Sequence, residues 1–362
     1  MELTRRNILK ITPYIAGKPI EETKRELGLN EVIKLASNEN PLGPSPKALR
    51  AIRAHISEIN RYPDSNGFYL KARLAKELDV KPDNIILGNG SDEIIDIIIK
   101  TFVEDDENIV TSDATFLEYG IISQVNNRKV FTAPLKNFKY DLSALGRKIN
   151  KKTKVVFIAN PNNPTGTYVN SREFKNFVAD LPKGIIVVLD EAYDAFIDVK
   201  DFPDSLEFIA NGNVIAMKTF SKAYGLAGVR IGYAAACFDL VSSMEKARQP
   251  FNVNLLAQVG ASAALDDKEF LRRTQSVVWK GKAYICKELD RMRVEYVPSV
   301  ANFILIDVKK DGVRVFKDML KQGVIVRDMA QYGLKNFIRV SIGTEKENKR
   351  FIEVFKLVMG YK

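Results

Sequence analysis

One lysine follows two hydroxyl residues and leads into a glycine-rich loop: Thr219-Phe220-Ser221-Lys222-Ala223-Tyr224-Gly225-Leu226-Ala227-Gly228-Val229-Arg230. The apolar segment VIAMK stands directly before it. Two further polar clusters end apolar runs in the same way. Asn160-Pro161-Asn162-Asn163-Pro164-Thr165-Gly166 follows VVFIA, and Asp190-Glu191-Ala192-Tyr193 follows IIVVL. Each has a plain structural account when taken alone: a turn held by asparagine side chains, a helix N-cap aspartate, a solvated surface lysine. Their shared position matters more. Open α/β sheets bind ligands at the carboxyl ends of their strands, and a carboxylate there is costly unless it meets a cation.

The chain has a single histidine, His55, in the stretch KALRAIRAHISEI, which reads as an amphipathic helix. His55 is expected to be a solvated or partly packed helix residue. A Ser–His–Asp triad, a Cys–His pair and a multi-histidine metal site are therefore not expected. No GxxxxGK[ST] or HExxH occurs, and Gly88-Asn89-Gly90 lacks the third glycine of a dinucleotide fingerprint. Proton chemistry falls to lysine, tyrosine, carboxylates or a cofactor. The three clusters together point to pyridoxal phosphate. This cofactor needs a lysine amine for its imine, which Lys222 supplies. It needs a carboxylate on its pyridine nitrogen, which Asp190 supplies, and donors to its phenolate oxygen, which Asn163 and Tyr193 supply. Its phosphate calls for hydroxyls, an arginine and a helix N-terminus. Thr219, Ser221, Arg230 and the turn Gly90-Ser91-Asp92 provide them. Phe116, in DATFLEY, would lie beside the ring.

The elements that must position these residues are legible as periodicity. Residues 1–45 are rich in proline and glycine and read as loops. Residues 46–60 have helical spacing, with Ala48, Leu49, Ile52 and Ile56 on one face. From residue 68 helices alternate with short apolar strands at Asn84–Leu87, Asn108–Thr111, Lys129–Thr132, Val155–Ala159, Ile185–Leu189, Val214–Met217 and Arg230–Ala235. Runs such as VVFIA read as strands buried on both faces, so the fold class is α/β with a mostly parallel sheet. A long helical stretch runs to about residue 290. Strands at Phe303–Val308, Val324–Arg327 and Phe337–Ser341 and a helix at Glu345–Met359 form a second, smaller α+β unit. The expected division is an N-terminal arm and substrate loop over 1–45, a large cofactor domain over 46–255 and a small C-terminal domain over 256–362.

Composition fits a globular chain of roughly two domains. There are 362 residues, 46% hydrophobic and 28% charged. Cys237 and Cys286 are the only cysteines, which argues against a zinc site or redox pair. The net charge of +10 comes from basic residues scattered among acids, so no nucleic-acid partner is expected. No signal peptide and no run of ~18 apolar residues is evident, so a cytoplasmic protein without membrane contact is expected.

The sequence resembles the fold-type-I pyridoxal-phosphate aminotransferases, and within them the histidinol-phosphate branch, over nearly its whole length. The motifs are LASNENPLGPSP (35–46), RYPD (61–64), GNGSDE (88–93), NPNNPTG (160–166), LDEAY (189–193), TFSKAYGLAGVRIGY (219–233), ANFIL (301–305), VRDM (326–329) and IRVSIGT (338–344). The resemblance implies that Lys222 carries the cofactor and moves the proton. It implies that Asp190 pairs with the ring nitrogen, Asn163 and Tyr193 with the phenolate, and Ser91, Asp92, Thr219, Ser221 and Arg230 with the phosphate. Phe116 would stack on the ring. Tyr62 would reach the neighbouring subunit's cofactor, implying a homodimer. Arg339 matches a glutamate α-carboxylate clamp, Tyr14 and Arg327 match the substrate's phosphate end, and Asn38 belongs to the substrate loop. Ala114 departs from the proline often found before the Thr–aromatic pair. The implied reaction moves an amino group between glutamate and imidazole-acetol phosphate, giving 2-oxoglutarate and histidinol phosphate, a step of histidine synthesis. Within the fold, an aromatic-amino-acid aminotransferase and a threonine-phosphate decarboxylase are the alternatives. Outside it stand a non-catalytic cofactor-binding regulator and a nucleic-acid binder.

Overall fold

A computed structural model describes residues 3–15 and 17–361. Its centre is a seven-stranded sheet. The strand order is Ile85–Gly88, Gly232–Ala235, Val214–Thr219, Ile186–Asp190, Thr153–Ala159, Asn108–Ser112, Lys129–Ala133. Only Gly232–Ala235 runs against its neighbours; the remaining pairings are parallel. The central strands are buried on both faces because helices cover both sides. Ile86 joins a core with Ile94, Ile95 and Ile98 of the helix Ser91–Phe102. Its neighbours Ile85 and Leu87 point the other way, onto Leu70 and Leu74 of Phe68–Leu78 and Ala257 and Ala261 of Leu255–Leu265. This alternation is the period of two that a strand imposes.

Register brings the three polar clusters together. Ala159 pairs with Asp190, and Asp190 with Met217. Asn160 N–H donates to the Asp190 carbonyl at 2.8 Å, and Glu191 N–H to that of Met217 at 2.8 Å. Three neighbouring parallel strands thus end at one level, and the loops after them share one edge.

The second unit is a four-stranded antiparallel sheet in the order Tyr296–Val297, Phe303–Asp307, Phe337–Ser341, Arg327–Asp328. Its core includes Val278, Ile285 and Leu289 of Lys268–Arg291 and Phe351 and Phe355 of Glu345–Met359. Two expectations shift here. The region before residue 46, read as loops, contains a helix at Ile20–Leu27 and a short strand, Ile33–Lys34, parallel to Val324–Ile325. The strand expected over Val324–Arg327 divides at Val326: its first half pairs with the N-terminal segment and Arg327–Asp328 pairs with Phe337–Ser341. The helix Leu255–Leu265 packs its alanines into the core of the large sheet, because Ala and Gly let it approach Pro46–His55 closely.

Candidate active site

A cavity of about 310 Å³ lies at the carboxyl edge of the large sheet. The loops after three of its strands supply Asn163, Asp190, Tyr193, Ser221 and Lys222. Ser91 and Asp92 enter from the start of a helix, Ser37 and Asn38 from the N-terminal segment, and Arg339 from the small unit. Phe116, Thr219, Arg230 and Tyr14 line the cavity too, whereas two expected residues, Arg327 and Tyr62, do not.

Asp190 is only 5% exposed and makes no ion pair among the described residues. Tyr119 Oη donates to its Oδ2 at 2.5 Å, and Ala192 N–H to its Oδ1 at 3.1 Å. Burial pushes this carboxyl up to about 6, and the two hydrogen bonds hold it back from rising further. It is a buried acid with a cavity before it and no cation, a costly arrangement unless a ligand brings one. Tyr119 is itself fixed by stacking on Phe157 at 4.9 Å and by edge contact with Phe116 at 5.6 Å. The sequence reading passed over Tyr119. Its signal was its place three residues after Phe116, one helical turn on, at the entry to the helix Glu118–Val125.

Two lysines, four residues apart, have opposite electrostatics. Lys218 is clamped by Glu191 at 2.8 Å and by Asp194. Burial works against its charge, but the two carboxylates outweigh it and hold the amine well above its ordinary value. Lys222 donates to the Ser37 carbonyl at 3.2 Å. Burial, and then the Arg339 guanidinium, bring its amine down to about 8. An amine that must attack a carbonyl has to shed its proton near neutral pH, and of the pair only Lys222 has its pKa lowered.

The opposite end of the cavity is built for an anion. The helix Ser91–Phe102 starts there without a side-chain cap, leaving its first N–H groups free. Arg230 lies across it, bonded to Asp92 Oδ2 and the Ala227 carbonyl, each at 3.1 Å. Gly90, at φ +83°, makes room: a Cβ there would stand 2.3 Å from Arg230 Nη2. Thr219 and Ser221 place hydroxyls alongside.

The third wall joins the N-terminal segment to the small unit. Asn38, at φ +55°, is fully buried. Its Nδ2 donates to Tyr193 Oη at 2.9 Å, its Oδ1 accepts from Ser341 Oγ at 2.8 Å, and its carbonyl accepts from Asn302 at 3.0 Å. Arg339 bonds Asn163 Oδ1 and the Ala36 carbonyl and lies over the Phe303 ring; its Nε has no partner. Arg327 is the direct cross-strand neighbour of Arg339. It is buried and lies 5.2 Å from the Tyr14 ring centre. Two buried guanidinium groups opposite each other repel until an anion joins them. Tyr62 stands apart from the cavity: it is 82% exposed and stacks on Phe251 at 4.7 Å. His55 ends its helix, donating to or accepting from no residue of the cavity, with Nδ1 2.9 Å from the Ala51 carbonyl.

The sequence pattern of the family described as aminotransferase class I and II matches residues 30–355. The chain belongs to this family. The class I and II aminotransferase is 44% identical over 358 residues to the histidinol-phosphate aminotransferase of Moorella thermoacetica, covering 98% of this chain and 93% of that one. It is 44% identical to that of Caldicellulosiruptor saccharolyticus, covering 97% and 99%. The crystal structure of histidinol-phosphate aminotransferase from Sinorhizobium meliloti in complex with pyridoxal 5'-phosphate superposes with a TM-score of 0.91 at 27% identity, covering 99% and 98%. The architecture is fold type I, and the family's cofactor is pyridoxal 5'-phosphate. The aminotransferase cavity fits that group by its chemistry. It offers an amine with a lowered pKa, a buried carboxylate without a cation, a flat aromatic at Phe116 and an uncapped helix end with an arginine.

Proposed function

We propose that this chain is a histidinol-phosphate:2-oxoglutarate aminotransferase of histidine biosynthesis. The observation that carries the reading is the buried cross-strand pair Arg327 and Arg339, in a chain 44% identical to proteins of that name. One substrate, glutamate, carries two carboxylates. The other carries a phosphate and no α-carboxylate. Two adjacent guanidinium groups can hold anions at two distances from the reacting carbon. Arg339 is assigned to the glutamate α-carboxylate, and Arg327, with Tyr14, to the phosphate. Asn38, buried beside Tyr193, is assigned to substrate binding.

Pyridoxal phosphate supplies the electron sink for carbon acid chemistry when bound. The remaining work falls to side chains. Asp190 carries a negative charge against the ring nitrogen and keeps a proton there. Asn163 and Tyr193 donate toward the phenolate oxygen. Ser91, Asp92, Thr219, Ser221 and Arg230 hold the phosphate, and Phe116 covers one ring face. Lys222 Nζ holds the cofactor and takes the proton from the substrate α-carbon. An amine with a pKa near 8 can both accept and return that proton close to neutral pH. Arg339 beside it favours the uncharged form.

The working unit is proposed to be a homodimer in the cytoplasm. Tyr62, exposed in one chain, then contributes to the partner's phosphate site. Each chain is divided into an arm and substrate loop over 1–45, a large domain over 46–255 and a small domain over 256–362. An amino-acceptor panel with glutamate as donor tests the reading. Imidazole-acetol phosphate should be the best acceptor. A preference for phenylpyruvate, or carbon dioxide release from threonine phosphate, would overturn it.

A further inference from the structure

The cationic handles of this cavity are Arg230, Arg339 and Lys222, beside an open helix N-terminus. Four carboxylates also line it, and three of them have partners: Asp190 accepts from Tyr119 and Ala192, Asp92 pairs with Arg230 and Glu39 with Lys34. Glu118, which opens the helix Glu118–Val125 two residues after Phe116, borders the cavity and is the fourth. It is half-buried and has no hydrogen-bond or ion-pair partner among the described residues. An acid in the first turn of a helix normally gains from the helix dipole and sits low. Glu118 does the reverse: burial, and then the like charge of Asp92, hold its carboxyl above the usual range. A carboxylate in this position helps neither anionic substrate group and is not a cap. It gains only from a ligand that brings an N–H donor to this wall.

Resting on the histidinol-phosphate reading, we infer that Glu118 is a specificity-determining residue whose carboxylate accepts a hydrogen bond from the substrate's imidazole ring. With the phosphate held at the arginine pair, the ring of the same substrate must leave the α-carbon in another direction. Apolar contact alone in that direction would suit a phenyl ring equally well. Glu118 separates the two, because only imidazole has an N–H to offer. It also repels the side-chain carboxylate of glutamate from this wall and directs it to the arginines. A site that hydrogen-bonds a ring N–H rejects the analogue lacking it, since the polar group is then left unpaired.

The test uses the holoenzyme and two probes that carry no amino group and cannot react: imidazolylpropyl phosphate and phenylpropyl phosphate. Calorimetry gives both dissociation constants for wild type, Glu118→Gln and Glu118→Leu. Wild type should prefer the imidazole probe by roughly 10- to 100-fold, the size of one hydrogen bond to a charged group. Glu118→Leu should erase the preference, and Glu118→Gln, whose amide oxygen still accepts, should keep part of it. Cofactor absorbance shows that each variant is folded and loaded. An unchanged probe ratio in Glu118→Leu, with wild type turning over histidinol phosphate normally, overturns the assignment of Glu118 alone. A wild type that does not turn over histidinol phosphate overturns the parent reading and this assignment with it.

Discussion

At the scale of single residues, the site places charges where a protein without ligand would not want them. Asp190 shows this most clearly. Its folded pKa, about 6, lies above the ordinary 3.8. The unfolded chain therefore releases this proton first, and Asp190's contribution to the stability of the cofactor-free protein is most favourable below pH ~4. It falls as pH rises from there through 6. Asp190→Asn removes that cost. The cofactor-free variant should be more stable than wild type at pH 8 by about 2–3 kcal/mol, by denaturant unfolding, while its transamination rate collapses. A variant less stable than wild type would show that Asp190 is satisfied without a cation. Tyr119 acts on the same carboxyl in the opposite sense. Its hydroxyl favours the charged form, so Tyr119→Phe should move the Asp190 pKa upward. Carbon-13 NMR of the aspartate carboxyls, with Asp190→Asn as the assignment control, reads the shift directly. The acid limb of the pH–rate profile should move up with it. Lys222, Asp190, Asn163, Tyr193 and Arg230 were legible in the sequence because each sits beside a glycine, a proline or an apolar run that marks a strand end. Tyr119 and Glu118 were not: nothing in DATFLEY says which of its side chains face inward until the helix register is known. Nor does sequence separation reveal that Arg327 and Arg339 lie directly opposite each other.

At the scale of elements, one glycine decides whether a helix end can bind an anion. Gly90 lets Arg230 lie across the start of Ser91–Phe102. Gly90→Ala adds a Cβ that collides with the guanidinium, at a φ that L side chains rarely adopt. Displacing one charged contact should weaken pyridoxal phosphate binding roughly 10- to 100-fold, measured by equilibrium dialysis. An unchanged affinity would show that Arg230 does not hold the phosphate. The helices and strands themselves were largely legible. Phe68–Leu78, Phe337–Ser341 and Glu345–Met359 have the expected bounds, because their apolar periods are long or their caps explicit. Thr344 and Glu347 cap the last helix reciprocally. The helix Ile20–Leu27 was hidden because its sequence, IEETKREL, is short, polar and preceded by breakers. The break at Val326 was hidden because a strand that changes partners keeps its apolar character throughout.

At the scale of the whole molecule, the cavity depends on two units and on the segment 33–38 that stitches them together. Leu35, Ala36 and Asn38 bond to Ile325, Ser341, Arg339 and Asn302. Ile56, Ile59, Tyr62, Phe68 and Tyr69, all within eight residues of the RYPD loop, are exposed, and apolar exposure concentrated in one stretch is of the kind found at interfaces. If Tyr62 works in the partner's site, chains with Lys222→Ala and chains with Tyr62→Phe should complement. Mixed dimers would have one site with neither lesion, and activity should exceed that of either parent. Subunit exchange without recovery would place Tyr62 outside the reaction. The central claim, that this cavity takes a phosphate-bearing amine, is tested most directly by one comparison. Single-turnover rates of the holoenzyme are measured with histidinol phosphate and with unphosphorylated histidinol. The phosphate should raise kcat/KM by roughly 10- to 100-fold or more, the value of at least one charge-assisted contact at Arg327. Equal rates for the two amines would contradict the account.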